Sequence, residues 1–153
     1  MAPEGSDPGT LHLEDDHWCY ACGRDNDKGL RLDFRHPEKG RLTAEAVFSR
    51  EHQGFKGMTH GGMVAMLLDE MMVNLAWVEG IPAVTAELTV RLKKPVKTGE
   101  KVHLEGRIER EEGRLVHTAA TAKNARGELL AAARAVCLRV KRAPPAPLAA
   151  RKK

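Results

Sequence analysis

Gly57-Met58-Thr59-His60-Gly61-Gly62-Met63-Val64-Ala65-Met66-Leu67-Leu68-Asp69-Glu70 is the stretch on which the fold turns. From Met63 to Trp77 every residue is apolar except Asp69, Glu70 and Asn74. A helix that is hydrophobic around its whole circumference belongs inside a protein. The run therefore predicts a central helix from about Gly61 to Val78, stopped at Gly80 with Pro82 beyond. Two glycines open it, so a ligand can closely approach the backbone amides at its start. An ionised carboxylate in such a helix is costly unless something pairs with it or uses it, which makes Asp69 and Glu70 candidate site residues.

The helical neighbours of Asp69 are Gly62, Ala65, Met66, Val73 and Ala76, mostly small side chains that leave a trough beside the carboxylate. Glu70 has bulkier neighbours, and Asn74 lies one turn on to hold it by a hydrogen bond. Asp69 is accordingly the working acid and Glu70 its supporting neighbour. The pattern alone leaves a second reading open, in which both acids pair with arginines such as Arg91 or Arg134 at a subunit contact.

Outward from the helix the periodicity changes to that of strands. Upstream, Leu30–Phe34 and Leu42–Phe48 alternate apolar and polar residues around a turn at Glu38-Lys39-Gly40, and a loop from Glu51 to Thr59 leads into the helix. Downstream, Val84–Leu92 alternates strictly, and strands over Lys101–Ile108, Arg114–Ala122 and Leu129–Val140 follow, joined by tight glycine turns. One long helix followed by a run of strands predicts an α+β domain, a curved antiparallel sheet wrapped around a central helix.

The chain has 153 residues, 42% apolar and 30% charged, which fits one globular domain with a real core. Residues 1–10 and 141–153 read as disordered ends and 11–140 as a single domain. No run approaches a membrane span, since Asp69 and Glu70 interrupt the most apolar segment, and the polar N-terminus is no signal peptide. The expectation is a cytoplasmic protein without membrane partners. The net charge of +4 comes from the tail, where Lys141, Arg142, Arg151, Lys152 and Lys153 stand without an acid. With only 4% aromatic residues, no broad basic face or base-stacking platform is expected, and hence no nucleic acid.

Cys19-Tyr20-Ala21-Cys22 has the spacing of half a zinc site, with His17 and His12 nearby, but no second ligand pair follows. The plain reading is two small buried thiols at a turn ending in Gly23, with no metal and no cofactor. There is no Gly-x-Ser-x-Gly elbow, no dinucleotide fingerprint and no phosphate-gripping glycine loop.

In order, Cys19-Tyr-Ala-Cys-Gly23 with Gly29-Leu30, then His60-Gly61-Gly62, Leu67-Leu68-Asp69-Glu70 and Thr85-Ala-Glu-Leu-Thr-Val-Arg91, resemble the hotdog-fold acyl-CoA thioesterases of the phenylacetyl-CoA thioesterase (PaaI-like) type. The resemblance spans roughly residues 18–140. It implies a hotdog fold and thioester hydrolysis without metal or cofactor, in a homodimer or homotetramer with sites at the subunit interface. It also implies Asp69 as general base or nucleophile and the Gly61 amide as the group that polarises the thioester carbonyl. His60 shapes the pocket, and Thr85 orients the attacking water, often from the neighbouring subunit. A water anchor upstream falls to Gln53 or His52, or to neither.

The chemistry of the residues agrees with this. An amide at a helix N-terminus stabilises developing negative charge, and a carboxylate further along activates water. Gly62, Ala65 and Glu70 are the expected substrate-lining residues beside Asp69. Arg91 and Lys93, with Lys94 and Lys97, are the expected cations for the phosphates of an acyl-CoA partner, although a solvated strand edge guarded by lysines explains them equally. The alternative function is a hotdog protein that binds acyl-CoA without hydrolysing it.

Overall fold

The computed structural model describes residues 13–140, so the expectations for residues 1–10 and 141–153 lie outside the described residues. Strand β1 (Phe34–Glu38) turns into β2 (Arg41–Val47), and a single 3-10 turn, Arg50–His52, precedes helix α1 (Gly61–Val78). Strands β3 (Ala83–Leu92), β4 (Lys101–Glu112), β5 (Leu115–Asn124) and β6 (Leu129–Arg139) follow. They form one six-stranded antiparallel sheet in the order β1-β2-β4-β5-β6-β3, curved around the helix. After α1 the chain crosses to the far edge, so among the described residues β3 pairs only with β6 and its other side is unpaired.

Why the helix sits at the centre follows from its composition. Val64, Leu67, Leu68, Met71, Met72 and Leu75 are buried against inward-facing residues of β2, β4, β5 and β6 such as Leu42, Leu104, Val116 and Ala133. The run is in fact long and apolar enough to cross a membrane, contrary to the sequence reading; here it is the core helix of the domain instead. One strip of α1 is only partly covered: Ala65, Met66, Asp69 and Val73 keep some exposure.

Gly106 on β4 sets how closely helix and sheet approach. A Cβ there would stand 3.1 Å from the Met71 carbonyl oxygen, a backbone atom that cannot swing aside. Gly106→Val should therefore cost about 1–3 kcal/mol by overpacking. Chemical denaturation reads this out as a lower midpoint, and an unchanged midpoint would show that the helix has room to shift.

Three strands differ from the expected pattern, and β4 does so by running on to Glu112 past the expected end at Ile108. The first begins four residues later than predicted, at Phe34 rather than Leu30. The Leu30 and Leu32 amides donate to the Tyr20 and Ala21 carbonyls, so this stretch pairs with the cysteine turn and not with β2. Arg31, with φ +48°, breaks the extended run. In β3, the pairing with β6 shifts by one residue between Thr85 and Glu87, a bulge with Ala86 as the extra residue. Cys137, Ala135, Ala133 and Ala131 of β6 face the core. Their partners Thr85, Leu88, Val90 and Leu92 consequently share the helix side, while Glu87, Thr89 and Arg91 face outward.

Candidate active site

The bulge delivers Thr85 to the helix. Its hydroxyl donates to Asp69 Oδ1 at 2.7 Å, fixing the carboxylate on the partly covered strip of α1. Among the described residues Oδ2 has no hydrogen-bond partner and Asp69 has no ion pair. The sequence placed Thr85 as an orienting group often supplied by a neighbouring subunit; here it holds the acid of its own chain. Behind it lies Cys137, fully buried opposite Thr85 in the ladder, its thiol pushed up by burial. Nothing in the sequence marked this thiol as lying beneath the acid.

At the other end, the loop before α1 closes on itself. Gln53 and Thr59 form a bridge, and the Gln53 side-chain carbonyl accepts from the Gly57 amide at 3.3 Å. Half of the Gln53 side chain is thus spent on the loop. The His60 amide donates to the His52 carbonyl at 2.8 Å, and His60 is the helix N-cap. His60 Nδ1 accepts from the Gly62 amide at 2.9 Å, which puts the ring proton on Nε2. The Gly62 N–H is thereby occupied by the cap. The Gly61 N–H has no acceptor among the described residues. Replacing His60 by Ala removes the cap, so we expect a loss of about 1 kcal/mol and a melting temperature lower by about 4 °C; an unchanged melt would show the cap contributes nothing.

Gly61 opens into a cleft of about 390 Å³ bounded by Thr59, His60, Val64 and Pro95 with Phe55 and Leu92 at its lip. Phe55 is 80% exposed and Leu92 56%, so a single chain leaves this apolar lip uncovered. Lys93 and Lys94 line the same cleft, and Lys93 also borders the groove on the outer face of the sheet in which Arg91 lies. Arg91 therefore stays outside the Gly61 cleft but keeps Lys93 as a neighbour. Thr59 was missed by sequence reasoning. Its hydroxyl is buried in the wall of the cleft with no partner among the described residues, and a buried orphan hydroxyl calls for an external acceptor or donor.

Glu70 does not share the Asp69 strip. Its Oε1 accepts from Asn74 Nδ2 at 2.7 Å, as the one-turn spacing predicted, and from the Cys19 thiol at 3.6 Å. Burial pushes its carboxyl up to about 7. Glu70 thus belongs to the cysteine turn and not to a substrate trough beside Asp69. Neither acid pairs with an arginine among the described residues, and Arg134 pairs instead with Glu109 at 3.5 Å. Gly62 and Ala65 do lie on the Asp69 side of α1, Gly62 exposed and Ala65 half-buried.

A curved antiparallel sheet wrapped around one buried helix defines a hotdog fold. The model of the thioesterase superfamily matches residues 56–131. Acyl-coenzyme A thioesterase 13 of Homo sapiens is 29% identical over 98 residues, 62% of this chain and 70% of the relative. Among solved structures, smu.793 from Streptococcus mutans bound to acetyl CoA superposes with a TM-score of 0.67 at 20% identity, covering 74% of this chain and 91% of that one. The PaaI protein from the phenylacetic acid degradation operon of E. coli gives a TM-score of 0.67 at 16% identity, covering 71% and 82%. The chain belongs to the thioesterase superfamily.

Proposed function

We propose that the protein hydrolyses a small, medium or aryl acyl-CoA to the free acid and CoA, with Asp69 as general base or nucleophile. The observation that carries this is the Asp69 carboxylate itself: half-buried on an apolar helix, fixed through one oxygen by Thr85 and, among the described residues, unpaired at the other. Such an acid takes a proton from water or attacks the carbonyl directly. The negative charge that develops on the thioester oxygen needs a donor, and the free Gly61 N–H at the positive end of α1 supplies it. The tetrahedral intermediate then collapses by breaking the C–S bond, and CoA leaves as a thiolate. Lys93 and Lys94 at the cleft suit the phosphates of the leaving half.

This reading calls for a second chain. Gly61 and Asp69 are eight residues apart on one helix, about 12 Å along its axis. A water touching both the acid and a carbonyl held at the amide spans about half of that, given hydrogen-bond lengths near 3 Å. In a two-fold pair with the helices side by side and antiparallel, Gly61 of one copy comes level with Asp69 of the other. The free edge of β3, the exposed Leu88 and Leu92 and the partly covered strip of α1 are the surfaces such a pair would bury. A homodimer, or a dimer of such dimers, is the assembly that completes the site.

The test is thiol release from a panel of short, long and aromatic acyl-CoAs. A hydrolase shows turnover on at least one class. A protein that binds these compounds yet releases no thiol from any of them is the non-catalytic alternative.

A further inference from the structure

We propose that Cys19, Cys22 and Glu70 form a binding site for a tetrahedral transition-metal ion of the Zn²⁺ type, which ties the cysteine turn to the central helix. The sequence offered only two ligands at that spacing; the fold brings the third from α1, fifty-one positions further along the chain. The two sulfurs and a Glu70 oxygen all lie within 4.8 Å of one another. Cys19 Sγ and Glu70 Oε1 are 3.6 Å apart. A tetrahedral ion with a Zn–S bond of about 2.3 Å and a Zn–O bond of about 2.0 Å separates sulfur and oxygen by about 3.5 Å. The two edges agree closely enough that an ion needs little rearrangement to enter.

The turn that presents the sulfurs is tightly built. Gly23 donates to the Cys19 carbonyl at 2.7 Å, and a Cβ on Gly23 would stand 2.5 Å from backbone atoms of both Cys19 and His17. Only glycine closes this turn. Asn26 Nδ2 holds the Trp18 carbonyl at 3.2 Å, and the Leu30 and Leu32 amides hold those of Tyr20 and Ala21. The Cys22 and Ala21 amides point at the Cys19 sulfur. Amides aimed at a sulfur favour the thiolate, the form that binds metal.

Glu70 supplies a second, independent reason. It is a buried acid with no cation beside it among the described residues; its partners are the neutral Asn74 amide and the two thiols. A buried carboxylate facing two thiols has no counter-charge from protein groups, and a divalent cation provides one. Asn74, by gripping Glu70, fixes the orientation of the oxygen ligand. Thiolates with one carboxylate select borderline-soft ions such as Zn²⁺ over Mg²⁺ or Ca²⁺. His17 does not join, because its ring faces Asp15 at 3.3 Å and Arg24 at 2.9 Å. The fourth position is therefore left to water.

The test uses the full-length, reduced, metal-free protein titrated with Co²⁺. One Co²⁺ per chain should bind with sulfur-to-metal charge-transfer absorption and the visible bands of a tetrahedral site, and Zn²⁺ should displace it. Cys22→Ser should abolish the charge-transfer bands. Glu70→Gln, which keeps the shape of the side chain and its bond with Asn74, should weaken Co²⁺ binding by at least about 10-fold. The proposal is overturned if the reduced wild type gives no charge-transfer absorption. It is equally overturned if the bands survive Glu70→Gln at unchanged affinity, because the ion would then be held elsewhere. These readouts are spectroscopic, so they stand whether or not the protein proves to release thiol from acyl-CoAs.

Discussion

Asp69→Asn should lower thioester turnover by about 10²- to 10⁴-fold, the usual cost of losing a positioned base. Asn has the shape of Asp and keeps an oxygen for the Thr85 hydroxyl, so the 2.7 Å contact survives and the fold has no reason to change. What disappears is the basic, unpaired oxygen. The loss should fall on kcat, with substrate affinity nearly intact, because the proton transfer belongs to the transition state and not to the bound ground state. Steady-state thiol release, read beside a thermal melt, separates the chemistry from any damage to stability. Hydrolysis at the wild-type rate by the folded variant would remove Asp69 from the mechanism.

Gly61→Pro is the second large effect. Gly61 is the first residue of α1, where proline is well tolerated because that N–H has no partner within the helix. The preceding His60, at φ −59° and ψ 131°, already has the extended shape a following proline demands. The substitution deletes one N–H and little else, and turnover should fall by about 10²- to 10³-fold. Gly61→Ala is the matched control. Its Cβ would meet only the mobile end of Leu92, 2.6 Å away, while the amide remains. Equal losses in both variants would mean that bulk, and not the donor, is responsible. Mixing the Gly61→Pro and Asp69→Asn chains then asks which copy supplies which group. In a two-fold pair, a mixed dimer keeps one intact site, and random mixing should restore roughly a quarter of wild-type activity. A site contained in one chain would restore none.

Much of the fold was legible because burial leaves a periodic trace. The helix Gly61–Val78 has the bounds its apolar run predicted, and all but the first strand start within one residue of where their alternation put them, β4 running on to Glu112 past the expected Ile108. The exception is instructive: Leu30 and Leu32 alternate like a strand, yet their amides are claimed by the cysteine turn, a partner invisible to local pattern. The site divides in the same way. Asp69 and Gly61 stood out because a carboxylate and a glycine in an apolar helix are costly without a use. The other assignments depended on which neighbour claims each group first. Gly62 lost its amide to His60, Glu70 turned toward the thiols, and Arg91 went to the outer face of the sheet. Thr59 and Cys137 gave no signal because an isolated threonine and a strand cysteine are ordinary until their surroundings are known.

The irregularity at Ala86 has a consequence for reading related chains. In this sequence Thr85 runs in phase with Glu87, Thr89 and Arg91, so simple odd-even counting assigns it to solvent. The extra residue reverses that parity midway, and the hydroxyl arrives beside the acid together with Leu88, Val90 and Leu92. A homologue one residue shorter at this point would carry its hydroxyl in step with the aliphatic side chains. Aligning such pairs requires a gap inside the strand rather than in the loop beside it.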